Sequence, residues 1–237
     1  MNIVLKKHPK NPIIIEGFPG FGLVATIATE FLIDHLKTEQ IGKIMFDDMP
    51  AMVAIHEGKV VEPLGIFYNK AYNIVIVHAI SATSGVEWKL ADVMVKLATE
   101  LKAKEIISLE GVGSATMPTE SSRTFYYAEN AHKKEVFKKI GIEPLKEGII
   151  MGVTGAVLLK AEHIPMSCIF AEAHTDLPDS KAAAKIIEVL DKYLGLKVDY
   201  KPLLLQAEKF EQKLKGLIGK SKEAEELSEK KKMSYVG

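Results

Sequence analysis

The sequence predicts an α/β protein in which a mostly parallel or mixed sheet lies between two layers of helices, a three-layer αβα sandwich. Two observations support this fold class. Short apolar runs typical of buried strands alternate with segments whose apolar residues recur at helical spacing, as in βαβ units with right-handed crossovers. The chain of 237 residues is also long enough to bury the core of one such domain.

The first strand and helix are predicted near the amino terminus. Residues 13–15 form a β-branched run that ends at Gly17, and residues 23–36 then place apolar side chains at helical spacing. Further strands are predicted at 41–46, 53–56 and 60–61. The last two should form a hairpin, because Glu57-Gly58-Lys59 has the chemistry of a turn.

The central and carboxyl-terminal elements follow the same alternation. The continuous apolar run at 73–78 is typical of a strand covered on both faces of a parallel sheet. An amphipathic helix is predicted at 87–101, and strands are predicted at 105–109 and 166–170. Gly152 should open a short apolar helix, and Asp179 should cap a helix that begins at Ser180.

The character of the sequence changes after Gly195. Pro202 suits a first helical turn, and a heptad stripe of apolar residues then runs to residue 217, which is too short for a long coiled coil. Residues 220–232 are nearly all charged or small, so they should form a solvated helix or be disordered. We therefore expect an α/β domain at residues 1–200 and a carboxyl-terminal helical extension with a charged tail at 201–237.

The composition excludes several classes of partner. Lysine plus arginine and aspartate plus glutamate number 31 each, so no net charge favours nucleic acid or an anionic membrane. The single Cys168 allows no intramolecular disulfide and no cysteine-based zinc site, which fits a reducing compartment. No apolar run approaches the roughly 18 residues that a membrane span needs. We expect a soluble, cytoplasmic protein with no nucleic-acid or membrane partner.

A glycine-rich loop at residues 17–22 follows the first strand and precedes the first helix, where backbone amides and the helix dipole can hold a phosphate. Its spacing is not the dinucleotide fingerprint, and it lacks the lysine of a P-loop. The favoured interpretation is a tight turn with close packing of helix on sheet. A phosphate site and an apolar contact surface remain the alternatives. The candidate residues are Gly17, Phe18, Pro19, Gly20 and Gly22.

Four carboxylates stand at or just beyond predicted strand ends: Glu16, Glu110, Glu172 and Asp176. If the sheet is parallel, these ends gather on the edge where α/β folds bind ligands. Glu172, His174 and Asp176 share one side of an extended loop, as a metal site would require. A hydrogen-bonded network that fixes the loop is the favoured interpretation, because one histidine with oxygen ligands is a weak zinc signature.

Close backbone approach is predicted beside Glu110, where Gly111 and Gly113 follow, and Arg123 is a candidate partner for one of the carboxylates. We find no nucleophile elbow, P-loop or metal cluster in the sequence. The sequence therefore predicts no catalytic residue, no metal and no cofactor, and an interaction protein is favoured over an enzyme.

Three of these motifs, in this order, resemble the PAC2 family of proteasome assembly chaperones. They are the 17–22 loop, the Glu110-Gly111-Val112-Gly113 motif followed by Arg123, and the region from Gly152 through the acidic loop to the helix after Ser180. The resemblance spans roughly residues 13–211. It implies a fold related to purine nucleoside phosphorylases, a homo-oligomer, and binding to 20S proteasome α subunits or a related PAC2-type protein.

The last five residues, Met233-Ser234-Tyr235-Val236-Gly237, end a charged tether with apolar and aromatic groups. They resemble the hydrophobic-Tyr-X terminus with which proteasome activators and assembly chaperones dock between α subunits, although here the tyrosine is third from the end. The resemblance implies that Met233, Tyr235, Val236 and Gly237 bind the partner. The alternative function is an enzyme or small-ligand-binding protein on a nucleoside-phosphorylase-like scaffold, using the strand-end carboxylates and the 17–22 loop.

Overall fold

The computed structural model describes residues 2–46, 53–56, 58–80, 85–113, 123–173, 177–202, 204–205 and 216. The strands are β1 (Asn2–Leu5), β2 (Ile13–Gly17), β3 (Glu39–Met45), β4 (Ala54–His56), β5 (Lys59–Val61), β6 (Leu64–Asn69), β7 (Ile74–Ala79), β8 (Glu105–Gly113), β9 (Thr124–Ala128), β10 (Glu143–Pro144) and β11 (Met166–Ala173). The helices are α1 (Val24–His35), α2 (Glu87–Leu101), α3 (Ala131–Lys139), α4 (Gly152–Lys160) and α5 (Ser180–Leu194).

Nine strands of the described chain form one open mixed sheet in the order β1-β3-β6-β7-β2-β8-β11-β9-β10, and β4 and β5 form a separate hairpin. The central strands β7, β2, β8 and β11 are parallel to one another. Antiparallel strands flank them, with β6 against β7 on one side and β9 against β11 on the other. The predicted mixed sheet is confirmed.

Helices cover both faces of this sheet, which confirms the predicted three-layer sandwich. Helices α1 and α5 pack together on one face, and α2 and α4 pack together on the other. Side chains alternate along each central strand, so Ile15 faces the α1–α5 layer while its neighbour Ile14 faces the α2–α4 layer. Both isoleucines are fully buried, as expected for a strand with helices on both sides.

The strands and helices expected at residues 1–200 are present, with β8 and β11 several residues longer at their carboxyl ends than the expected strands. Four strands and one helix were not expected: β1, β6, β9, β10 and α3.

The carboxyl-terminal extension is described only in part, since residues 201–202, 204–205 and 216 are helical and its other residues lie outside the described chain. The division into a domain at 1–200 and a tail at 201–237 stays a prediction. Within the described part, no helix combines the length and apolar character that a bilayer crossing requires.

Candidate functional site

The candidate site is a cleft of about 680 Å³ at the carboxyl ends of the central parallel strands. Its floor is the end of β8, from Glu110 to Gly113, and one wall is the Phe18–Phe21 part of the 17–22 loop. A second wall is the irregular segment at residues 147–151 with the start of α4, and Glu172 of β11 and Phe125 of β9 also line the cleft. The strand order thus brings Glu110 and Glu172 to one edge.

Glycines let the 17–22 loop lie directly on neighbouring elements. A Cβ atom at Gly17 would stand 2.5 Å from two side-chain atoms of Thr29 in α1, so this glycine permits close packing of helix on strand. Gly20 lies against the Glu110 carboxyl group, where a Cβ would approach Oε1 to 2.1 Å. Gly22 adopts a φ of 60°, a left-handed conformation that glycine accepts readily.

The loop and the cleft floor meet at Gly111. A Cβ atom there would stand 2.2 Å from the backbone oxygen of Phe21, which cannot move aside as a side chain could. Phe18 is buried in the α2–α4 layer, whereas Phe21 is 37% exposed at the cleft. Pro19 lines the cleft between them. The loop therefore presents an apolar wall and keeps its glycines against the protein.

A chain of polar contacts runs from the interior to the cleft floor. Ser108 Oγ lies 2.6 Å from Glu16 Oε1, and Thr154 Oγ1 lies 3.0 Å from Glu110 Oε2. The two hydroxyl oxygens are also 2.8 Å apart. Three oxygen–oxygen contacts need three protons, and two hydroxyl groups supply only two. One of the two carboxyl groups must therefore hold a proton for every contact to be a hydrogen bond.

The electrostatics of the pair agree with this proton count. Burial raises the pKa of Glu16 to about 7. Burial also raises the pKa of Glu110 to about 8, and the nearby Glu16 charge adds to the shift. Among the described residues, the second oxygen of Glu16, Oε2, has no hydrogen-bond partner. Near neutral pH the pair is therefore partly protonated.

Glu172 differs from this pair because a cation neutralises it. Arg123 Nη2 lies 2.6 Å from Glu172 Oε1, and Arg123 Nε lies 3.1 Å from each carboxylate oxygen. The hydrogen bond from Arg123 lowers the pKa of Glu172. The guanidinium group also lies 5.5 Å from the centre of the Phe125 ring. Arg123 is thereby held at the rim.

Several predicted site residues lie outside the described chain. These are His174 and Asp176 of the acidic loop, and Met233, Tyr235, Val236 and Gly237 of the tail. Of the hypothetical metal set, only Glu172 is described, and it is paired with Arg123. Within the described ranges, no group of three or more His, Cys, Asp or Glu side chains is arranged to hold a metal ion.

Two hydroxyl residues of the site, Ser108 and Thr154, were not found from the sequence. Both are buried. The sequence did contain an indication of Thr154, because a polar residue within the mostly apolar helix α4 must find a hydrogen-bond partner if it is buried. The wall at 147–151 was also missed, since it has no regular secondary structure whose period could be recognised.

Exposed apolar side chains lie at and near the cleft. Ile149, which is 88% exposed, and Met151, which is 63% exposed, line it together with Phe21. Leu177 is 61% exposed and lies two residues before Asp179, whose backbone N–H donates to the Gly22 carbonyl at 2.8 Å. We call these four residues the apolar rim. The β4–β5 hairpin stands at the same edge, because β6 follows it directly and begins opposite Ala79, the last residue of β7. The hairpin exposes Val53, Ile55 and Val60 as well.

Comparisons with a protein family, a solved structure and a curated sequence each match most of the chain. The sequence profile of the PAC2 family matches residues 14–218. The chain is 32% identical to Pyrococcus furiosus PbaA, described as an archaeal homolog of proteasome-assembly chaperone, with a TM-score of 0.84 over 94% of this chain and 99% of that one. It is 29% identical to an uncharacterized protein of Methanocaldococcus jannaschii over 229 residues, covering 96% of this chain and 94% of the relative.

A second solved structure shares the fold at lower identity. Pyrococcus furiosus PbaB, described as an archaeal proteasome activator, is 24% identical and has a TM-score of 0.75, over 91% of this chain and 98% of that one. At this identity the likeness concerns the fold alone.

Proposed function

Because the chain belongs to the PAC2 family, we propose that it is a non-enzymatic proteasome assembly chaperone or activator homologue. It binds 20S proteasome α subunits, or a related PAC2-type protein, through its carboxyl-terminal tail and its exposed apolar loops. The similarity to PbaA over nearly the whole of both chains supports the chaperone-like role. We also propose that the protein works in the cytoplasm as a homo-oligomer.

The observation that carries this proposal is the apolar rim. Ile149, Met151 and Leu177 are each more than half exposed, and they stand with the hairpin at one edge of the sheet. Burying apolar surface is favourable by about 25 cal/mol per Å². Apolar side chains grouped on a surface in this way usually mark an interface with another protein.

The tail is the second element of the proposal. Tyr235 follows a run of three lysines and lies two residues from the end of the sequence. In the proposed complex its ring fills a pocket of the partner, and the charged tether supplies reach. Several tails on one oligomer would bind with raised effective concentration.

The test measures binding to purified 20S particles by surface plasmon resonance. Deleting Tyr235-Val236-Gly237, or changing Tyr235→Ala, should lower the affinity about thirtyfold per site, the effect of losing an anchor worth about 2 kcal/mol. Fold and oligomeric state should be unchanged by circular dichroism and light scattering. Undiminished binding of the truncated protein would exclude the tail as the anchor.

The apolar rim is tested separately with the double variant Ile149→Ser and Met151→Ser. Its matched control is Leu159→Ser, which changes a side chain that is 68% exposed on the last turn of α4. The rim variant should bind 20S particles more weakly than the control variant. Equal binding by both would remove the rim from the interface, and loss of the oligomer in the rim variant would assign it to contacts between subunits.

A further inference from the structure

We propose that the cleft binds a small organic cation, a primary ammonium or guanidinium group on an apolar body, whose charged group is received by Glu110. This inference concerns the cleft and does not depend on the proposed chaperone role. It rests on the shape and lining of the cleft, on the charges that face Glu110, and on the proton held between Glu110 and Glu16.

The cleft has the dimensions and lining of a small-molecule site. Its volume of about 680 Å³ falls within the roughly 300–1,000 Å³ typical of such sites. Phe21, Phe125 and Met151 supply apolar surface from the 17–22 loop, β9 and the 147–151 wall. Glu110 of β8 lines the same cleft. An apolar body with one polar group fits this arrangement.

The charges around Glu110 favour a cation. Glu16 of β2 is linked to Glu110 through Ser108 and Thr154. Burial raises the pKa of the Cys168 thiol of β11, and the nearby charges of Glu16 and Glu110 add to this shift. In the cleft, Glu147 of the wall and Glu172 of β11 add two further carboxylates. Arg123 is bonded to Glu172, and no lysine, arginine or histidine of the described chain lines the cleft.

The proton between the two carboxyl groups gives the site a measurable property. The side chains of Glu16, Ser108, Thr154 and Glu110 make three successive oxygen–oxygen contacts. If all three are hydrogen bonds, the group must hold at least one proton in addition to the two hydroxyl protons. Burial raises the pKa of Glu110 to about 8 and that of Glu16 to about 7, so at neutral pH the proton is assigned to Glu110. A cation beside Glu110 stabilises its ionised carboxylate and takes the place of that proton. Binding therefore releases a proton to solvent, and the positive charge of the ligand replaces the charge that leaves.

The probes are 2-phenylethylamine and its neutral isostere 2-phenylethanol, titrated into the full-length protein by calorimetry at pH 7. The amine should bind and release close to one proton. The number of protons released is obtained from the difference between the binding heats in phosphate and Tris buffers, which have different ionisation enthalpies. Its affinity should rise by up to about tenfold per pH unit between pH 6 and pH 8, because Glu110 must ionise. Equal affinity for the alcohol, or amine binding without proton release, would overturn the proposal.

The variant Glu110→Gln should lower the affinity for the amine at least about tenfold and remove its pH dependence. Glu143→Gln is the matched control, because Glu143 is an exposed carboxylate that does not line the cleft. Persistence of amine binding in the Glu110 variant contradicts the assignment. If that variant does not fold, the proton release measured on the unmodified protein decides.

A further arm distinguishes the source of the cation. A synthetic peptide of residues 228–237 carries three lysines beside Met233 and Tyr235. If this peptide binds and the amine does not bind at concentrations up to about 10 mM, the occupant is a protein segment and the small-molecule proposal fails. Absence of binding by both probes would likewise overturn it.

Discussion

Strand β8 has a carboxylate near each end, and the protein surrounds the two in opposite ways. At the amino end, Glu105 accepts hydrogen bonds from Ser167 Oγ at 2.6 Å and Tyr193 OH at 3.1 Å, and Lys133 of α3 forms an ion pair with it. At the carboxyl end of β8, Glu110 forms a hydrogen bond with Thr154 and has no cation beside it in the described structure.

Local packing explains how the amino end obtains its cation. Phe137 of α3 stacks between Tyr126 and Tyr193, with ring centroids 4.7 and 4.5 Å away. Residues four apart share a face of a helix, so this stack fixes α3 with Lys133 over Glu105. At the amino end of β8, the protein's own Lys133 supplies the counter-charge for Glu105. At the carboxyl end of β8, no described cation faces Glu110, which lines the cleft.

The largest expected effect comes from removing the cation at the amino end. Lys133→Met leaves Glu105 without a counter-charge. The Glu105 side chain is only 6% exposed, so water does not replace the lost ammonium group. Breaking a buried pair in this way typically costs about 3–5 kcal/mol. Urea denaturation measures the loss, with Lys138→Met, an exposed lysine of the same helix, as control. Equal stability of the two variants would show that the Lys133–Glu105 ion pair does not stabilise the amino end of β8.

The next effect is a pH dependence of the free energy of unfolding, caused by Glu110 near the carboxyl end of β8. Since the pKa of Glu110 is raised to about 8 in the folded protein, the folded state binds more protons than the unfolded state below that pH. Stability therefore falls as pH rises from about 5 to 8, by up to roughly 1.4 kcal/mol per unit for this group. Glu110→Gln does not titrate, so it should match the unmodified protein near pH 5 and exceed its stability near pH 8 by about 1 kcal/mol or more.

Thermal melts across this pH range make the measurement. Glu147→Gln serves as control, because Glu147 is exposed on the cleft wall and should leave the pH dependence unchanged. A Glu110 variant whose stability follows that of the unmodified protein at every pH would mean that Glu110 is charged throughout, like an ordinary surface carboxylate.

The smallest effect concerns the charged pair at the cleft rim. Glu172→Gln removes the pair with Arg123, whose side chain is 67% exposed and therefore screened by water. The melting temperature at pH 7 should fall by less than about 4 °C. Because the pKa of Glu172 is lowered, this contribution is present above its ordinary pKa and disappears in acid. A difference that persists well below that pKa would indicate lost packing instead.

The sequence could predict where carboxylates gather but not what surrounds them. The apolar runs at β2, β7 and β8 indicate a parallel sheet, and parallel strands put Glu110 and Glu172 at one edge whatever the loops do. The wall at 147–151 has no repeating pattern, so the sequence does not indicate that this segment lines the same cleft as the 17–22 loop. Its exposed Ile149 and Met151 are visible as a rim only in three dimensions.

Three of the missed elements, α3, β1 and β10, have weak patterns for physical reasons. Helix α3 buries a single residue, Phe137, so its apolar spacing has no period to detect. Strand β1 is an edge strand in which no residue is fully buried, and β10 spans only two residues. Lys133 was missed for a related reason, since its ion pair with Glu105 joins positions 28 residues apart that only the fold brings together.

The position of β2 at the centre of the sheet determines the order in which the newly made chain can fold. Its neighbours are β7, which begins at Ile74, and β8, which begins at Glu105. Residues 13–15 are therefore synthesised about 90 residues before their second neighbour, a delay of roughly 5 to 20 s on the ribosome. Until β8 has been made, this largely buried apolar strand can pair on one side only, with β7.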